Sequence, residues 1–148
     1  MLELAACASV LVACLAGTFQ FGYTFYVYNQ MVTAVGNGGL YASSRTYRAA
    51  SPKDIEKGNE AIRNMVVYGD PHPAPDAQPV VPDLKREEVE VKWNFSSFSN
   101  AKPGSPEFVE VAIGRHPVNA LVGSFTFAGR PRVVFPYLGR YAPAESER

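Results

Sequence analysis

Residues 4–28, LAACASVLVACLAGTFQFGYTFYVY, contain no acidic or basic side chain, and this run constrains the chain more than any other feature. At ~1.5 Å per residue it makes a helix roughly 37 Å long, enough to cross a ~30 Å hydrocarbon layer with some tilt. Its two halves differ. In the first half Ala5, Ser9, Ala13 and Gly17 recur at every fourth position and share one face. Small residues in that register let another helix approach closely, and close packing is what holds helices together in lipid. The second half is aromatic, with Phe19, Phe21, Tyr23, Phe25, Tyr26 and Tyr28. Aromatic rings of this kind favour the membrane–water boundary or a helix–helix seam.

Charge is segregated accordingly. Glu3 is the only acidic or basic residue before Arg45, and the formal charge of the whole chain is zero. Scattered, balanced charges beyond Arg45 give no field for nucleic acid. With 148 residues the chain can form one long helix and one modest globular part, not two full domains. Both cysteines, Cys7 and Cys14, lie in the apolar run. Seven helical residues hold them roughly 10 Å apart, too far for a disulfide, so they are expected to be small apolar packers. A cleaved signal peptide is not expected, because no basic residue precedes the run. Leu11-Val12-Ala13-Cys14 matches the pattern before a lipidated cysteine, but would leave too short an apolar run.

After Tyr28 the helical pattern continues through Met31, Val32 and Val35, then meets Gly36, Gly38 and Gly39. Each glycine weakens a helix by about 1 kcal/mol against alanine. The expectation is either a helix to about residue 46 with a soft point, or a break. Ser51, Pro52 and Asp54 then read as a helix start, and Gly69 as its stop, with Ile55, Ile62 and Val66 near one face. Residues 70–83, DPHPAPDAQPVVPD, predict an extended proline-rich linker.

Beyond the linker the period changes to two. Val89, Val91, Trp93 and Phe95 alternate with Glu88, Glu90, Lys92 and Asn94, the pattern of a half-buried antiparallel strand. Phe108–Ile113, Leu121–Phe127 and Val133–Phe135 add three more strands, separated by turn signals at Pro103-Gly104, His116-Pro117 and Gly129-Arg130-Pro131. The predicted fold is α+β: a long N-terminal apolar helix and its extension (1–48), a short second helix (49–69), the linker (70–84) and a β-rich region of about four strands (85–148).

Catalytic chemistry finds little support. His72 and His116 each precede a proline in a turn signal, and the region beyond Arg45 has no cysteine. No spacing suggests metal ligands, so no metal and no cofactor is expected. Ser96, Ser97 and Ser99 lack the glycine context of a strained nucleophile turn. Gly36-Asn37-Gly38-Gly39 has neither a preceding strand nor a following lysine, as a phosphate loop needs. Asn94-Phe95-Ser96 is a formal glycosylation triplet, but Asn94 falls within a predicted strand. The chain is not expected to be an enzyme.

The stretch FGYTFYVYNQMVTAVGNGGLYASSRTYR, residues 21–48, resembles the TadE-like family of bacterial minor pilins and pseudopilins, in the tight-adherence branch of the type IV pilus systems. Members pass from an acidic residue through a long apolar helix to an aromatic stretch, then to a helix ending in tyrosine-alanine. Here the order is Glu3-Leu4-Ala5, Phe21 to Tyr28, Asn29 to Ala34, and Tyr41-Ala42. Residues 61–69 and 131–137 are similar to later segments of the family.

The resemblance implies a structural subunit of a pilus-like filament or of its initiating complex. Such a chain waits in the bacterial inner membrane as a precursor, loses a short leader, and joins a fibre with its C-terminal part outside. Its partners would be copies of itself or other pilins, contacted through Glu3, Ala5, Ser9, Ala13, Gly17, Phe21, Tyr23 and Phe25. The family's glutamate stands at the fifth mature position, whereas Glu3 is third in this sequence. Glu3 has two readings: it registers neighbouring subunits by pairing with an N-terminal amine, or it is a favourable acid in a first helical turn. Two other roles fit the same pattern: a single-span accessory subunit of a large membrane complex, and a membrane-tethered binding module that uses the sheet.

Overall fold

The computed structural model describes residues 2–48, 52–95, 106–120 and 123–142. One helix, α1 (Leu2–Ser44), runs unbroken through the apolar run and the glycines. From Gln20 onward its buried positions are Gln20, Val27, Met31, Ala34, Val35, Gly38, Gly39, Ala42 and Ser43. Their spacing of three and four places them on one face. That face is the wall on which the rest of the chain is built.

The glycines explain why α1 neither bends nor stops. A Cβ at Gly38 would fall on Cγ2 of Val66, and one at Gly39 would lie 2.7 Å from Phe135 Cδ2 and 2.9 Å from Val133 Cγ2. Their lost helix propensity is offset by the approach of a second helix and a sheet to the backbone of α1. The expected soft point is a packing notch.

The second helix, α2 (Pro52–Tyr68), starts on Pro52 with Asp54 in its first turn. It ends at Gly69, whose φ of 73° no branched residue adopts easily. It buries Ala61, Ile62, Val66 and Val67. The proline-rich segment after it is not helical, but instead of running extended it folds through turns closed by Ala77 N–H to Ala74 O at 3.0 Å and Leu84 N–H to Val81 O at 3.2 Å, and it is no free tether. Val80 N–H donates to Val67 O at 2.8 Å, and Val81 and Leu84 enter the core beside Val66 and Val67.

A two-residue strand β1 (Tyr47–Arg48) lies between the two helices, and after α2 come β2 (Val89–Phe95), β3 (Pro106–Ile113), β4 (Arg115–Asn119), β5 (Ser124–Ala128), β6 (Arg132–Pro136) and β7 (Tyr141–Ala142). The fold is α+β as expected, but five antiparallel strands form two sheets, ordered β2-β3-β6 and β4-β5. In addition β1 pairs with β7 in parallel. The central strand β3 aligns Val109, Val111 and Ile113 with Trp93, Val91 and Val89 of β2, and the first two also with Phe135 and Val133 of β6. These rows face the helices, while Glu90, Lys92 and Glu110 line the other side, as the alternation predicted. Ser51, Ser96, Ser97, Ser99, Pro103-Gly104 and Leu121 lie outside the described residues.

A turn expected in the β-rich region is also corrected. His116-Pro117 reads as a turn in sequence but is part of β4, where Pro117 stands opposite Thr126. Among the described residues β4 pairs only with β5, so a residue without an N–H is tolerated there. His116 is 1 % exposed and its Nδ1 lies 2.8 Å from Glu88 Oε2, a carboxylate that also accepts the Lys85 N–H at 3.2 Å. The pair ties the base of the β4–β5 hairpin to the start of β2.

Tyr137 ties the segment after α1 to the segment before β7. Its hydroxyl accepts the Tyr47 N–H at 2.6 Å and faces the carbonyls of Arg45 (2.8 Å) and Arg140 (2.9 Å), to either of which it can donate. Burial pushes the Tyr137 pKa above the ordinary 10.0, with the Tyr47 hydrogen bond and the Arg45 charge opposing it. The folded state thus holds this proton more tightly than the unfolded chain. The contribution is fully present below the unfolded pKa and is lost as pH rises above about 10 through the folded value. Alkaline titration of the unfolding midpoint should therefore show a fall above pH ~10 that is smaller in Tyr137→Phe; identical alkaline limbs would show that Tyr137 has no part in it.

Candidate membrane and assembly helix

From Glu3 to Leu15 every position of α1 is exposed. Leu4, Val10, Leu11, Val12, Leu15 and Phe19 are all exposed, from 51 % for Leu15 to 76 % for Leu4. Removing six such side chains from water is worth on the order of 10 kcal/mol, comparable to the whole stability of a typical domain. An apolar stalk of this kind requires lipid or other helices around it. By length and composition the helix over Glu3–Ser44 can cross a membrane.

Polar groups on the stalk are already satisfied within the helix. Ser9 Oγ donates to Ala6 O at 2.9 Å and lies 3.2 Å from Ala5 O, while Thr18 Oγ1 donates to Cys14 O at 2.9 Å. Turned back on its own backbone, each hydroxyl adds little to the cost of entering hydrocarbon. Cys7 and Cys14 are free and exposed.

Of the residues singled out in sequence, Glu3, Ala5, Ser9 and Ala13 are exposed on the stalk. Gly17 is half-buried, yet a Cβ there would meet nothing within 4 Å. The stripe Ala5, Ser9, Ala13, Gly17 advances about 40° per step and runs into the side of α1 that becomes buried from Gln20. Phe21, Tyr23 and Phe25 are exposed near the top of the stalk. Of the eight, Phe21, Tyr23 and Phe25 border the β4–β5 hairpin. Among the described residues no group of three or more His, Cys, Asp or Glu is placed to hold a metal ion.

Sequence reading missed the elements that flank the stalk. Gln20, 7 % exposed, donates from Nε2 to the carbonyl of Gly123 at 3.1 Å. Higher up, the Tyr28 and Phe127 rings lie 5.1 Å apart. The β4–β5 hairpin thus runs alongside α1 with its turn beside Gln20. Between the two lies a groove of about 290 Å³ lined by Phe21, Thr24, Phe25, Tyr28, Phe125 and Phe127. A lone glutamine in a charge-free run was the only local signal, since an isolated amide in an apolar helix needs a partner.

Residues 1–39 match the family model described as TadE-like protein. The match covers the stalk and the first part of the packed half of α1, and it agrees with the resemblance carried by the aromatic stretch. No curated protein and no solved structure matches the chain.

Proposed function

We propose that this chain is a structural subunit of a pilus-like filament, or of the complex that initiates one. The observation that supports it most is a fully exposed apolar stalk continuous with the helix on which a folded head is built. In a membrane the stalk is solvated by acyl chains. In a fibre the stalks of neighbouring subunits replace those chains, with the small-residue stripe permitting close approach. The heads, which carry nearly all the charge, remain in water. Under this reading the chain is no enzyme, and its partners are copies of itself or other pilins. It passes from the inner membrane to an extracellular fibre.

Fractionation of producing cells tests the assignment. The chain is expected in two pools, one in the membrane and one in material sheared from the cell surface. A chain found only in membranes, co-purifying in detergent at fixed stoichiometry with unrelated membrane proteins, would instead be an accessory subunit.

A further inference from the structure

Depth along α1 has a consequence for the β4–β5 hairpin. Glu3 resists entering hydrocarbon, which sets one edge of the span. A ~30 Å hydrocarbon layer takes about 20 helical residues, so the opposite edge falls near Tyr23. Tilting the helix moves that edge further toward the head. Gln20 lies about 25 Å from Glu3 along the axis, inside the span. Its side chain holds the carbonyl of Gly123, which also closes the hairpin turn by accepting Ala120 N–H at 3.0 Å. Phe127 is fixed beside Tyr28, eight helical residues higher, about 12 Å. From Phe127 to Gly123 the strand itself spans about 13 Å. Strand β5 therefore lies nearly along the helix axis, with its Gly123 end toward the membrane.

The chemistry of the hairpin suits that position. Residues 117–129 contain no acidic or basic side chain, although charges are scattered through the rest of the chain beyond Arg45. Phe125 is 44 % exposed, and the groove it shares with Phe21 and Phe25 is lined by aromatic rings and Thr24. Arg115 and Arg130 are exposed at the base of the hairpin. Arg115 stands four strand residues, about 13 Å, above the Asn119–Ser124 pair, which places it at headgroup height.

We propose that the β4–β5 hairpin is a second membrane-contacting element: its end at Gly123 and Ser124 beds at the interface of the head-side leaflet, acyl chain occupies the groove beside Phe125, and Arg115 and Arg130 meet lipid phosphates. The inference rests on the membrane-spanning role of α1. It goes beyond that role by giving the head a fixed height and orientation on the bilayer. The groove is open to lipid from the side, and the hairpin enters the hydrocarbon layer by only about one helical turn, at Gly123, whose carbonyl is satisfied there by Gln20 and Ala120.

Fluorescent labelling of the full chain in phosphatidylcholine vesicles tests this. In a Cys7→Ala, Cys14→Ala background, single cysteines at Ser124→Cys and Asp76→Cys carry the probe. A third chain retains Cys14 as its only thiol. The Ser124 probe should be quenched by lipids bearing a shallow nitroxide and be several-fold less accessible to iodide than the Asp76 probe, which sits on the exposed proline-rich segment. The Cys14 probe should be quenched by deep nitroxides. If Cys14 is not, the membrane reading itself fails. If Cys14 is quenched while the Ser124 probe answers only to iodide, the hairpin lies in water and the proposal is overturned. Protection from iodide without lipid quenching also overturns it, and protection that fades as protein is diluted in lipid identifies a second copy of the chain as the cover.

Discussion

Alanine at Gly38 will destabilise the head by about 1–3 kcal/mol, while alanine at Gly36, two residues away on the same helix, will stabilise it by up to about 1 kcal/mol. Both substitutions gain the same helix propensity. They differ in what the new methyl meets. At Gly36 there is nothing within 4 Å. At Gly38 it meets Val66 Cγ2, with Val66 Cβ at 3.6 Å and Ile62 O at 3.7 Å. Val66 is fully buried and β-branched on a helix, so it has one strongly preferred rotamer and no room to turn away. The methyl must push α2 off α1. Gly39→Ala falls between, because the Phe135 ring and the Val133 methyl it meets belong to the β6 edge of the three-stranded sheet and have some room to shift.

Trp93, the only tryptophan, packs against Tyr47 and Tyr137 and reports the head. Urea unfolding in detergent, followed by its fluorescence, should therefore order the variants Gly36→Ala, wild type, Gly39→Ala, Gly38→Ala from most to least stable. Equal midpoints for Gly36→Ala and Gly38→Ala would show that α2 does not approach α1 as described.

The second large effect concerns assembly and should leave the fold untouched. Gly17→Leu places four carbons on a helix face where a Cβ meets nothing. Urea midpoint and membrane insertion should match wild type. On the proposed function, however, Gly17 completes the stripe on which a neighbouring helix packs, and the leucine holds that helix away. Incorporation into sheared fibres should fall to background, with a partial loss for Gly17→Ala. Normal incorporation of Gly17→Leu would move the packing face elsewhere on the stalk. Because Gly38→Ala perturbs folding and Gly17→Leu perturbs assembly, the pair separates the two roles of one helix.

Much of this architecture is legible in sequence because its signals are local. The absence of charge from residue 4 to 44 marks α1. Pro52, Asp54 and Gly69 mark the ends of α2, and alternation through Val89, Val91 and Trp93 marks the strand that faces the helices. What escapes depends on contacts distant in sequence. The glycines at 38 and 39 read as weakness until Val66 and Phe135 are seen against them. The packed half of α1 shows no apolar stripe, since its outer face is also apolar through Phe21, Phe25, Val32 and Leu40. The point at which the head begins, near Gln20, is therefore invisible to periodicity. Strand β4 hides because Pro117 is a turn signal everywhere except on an edge strand. Val81 and Leu84 are concealed among prolines that otherwise describe a tether.

The assembly residues stand out by spacing and residue type, and in the structure seven of the eight are exposed while Gly17 has open space where a Cβ would lie. The groove with Phe125 and Phe127 was out of reach, because it joins positions about a hundred residues apart in the chain.

A structural subunit of a fibre must draw its stalk out of lipid and pack it among other stalks. Immunogold electron microscopy of fibres sheared from producing cells, with antibody raised against the head, measures this directly. The predicted result is label on the fibres, along the shaft or at their ends. Unlabelled fibres, with the whole of the chain recovered in membranes, would contradict it.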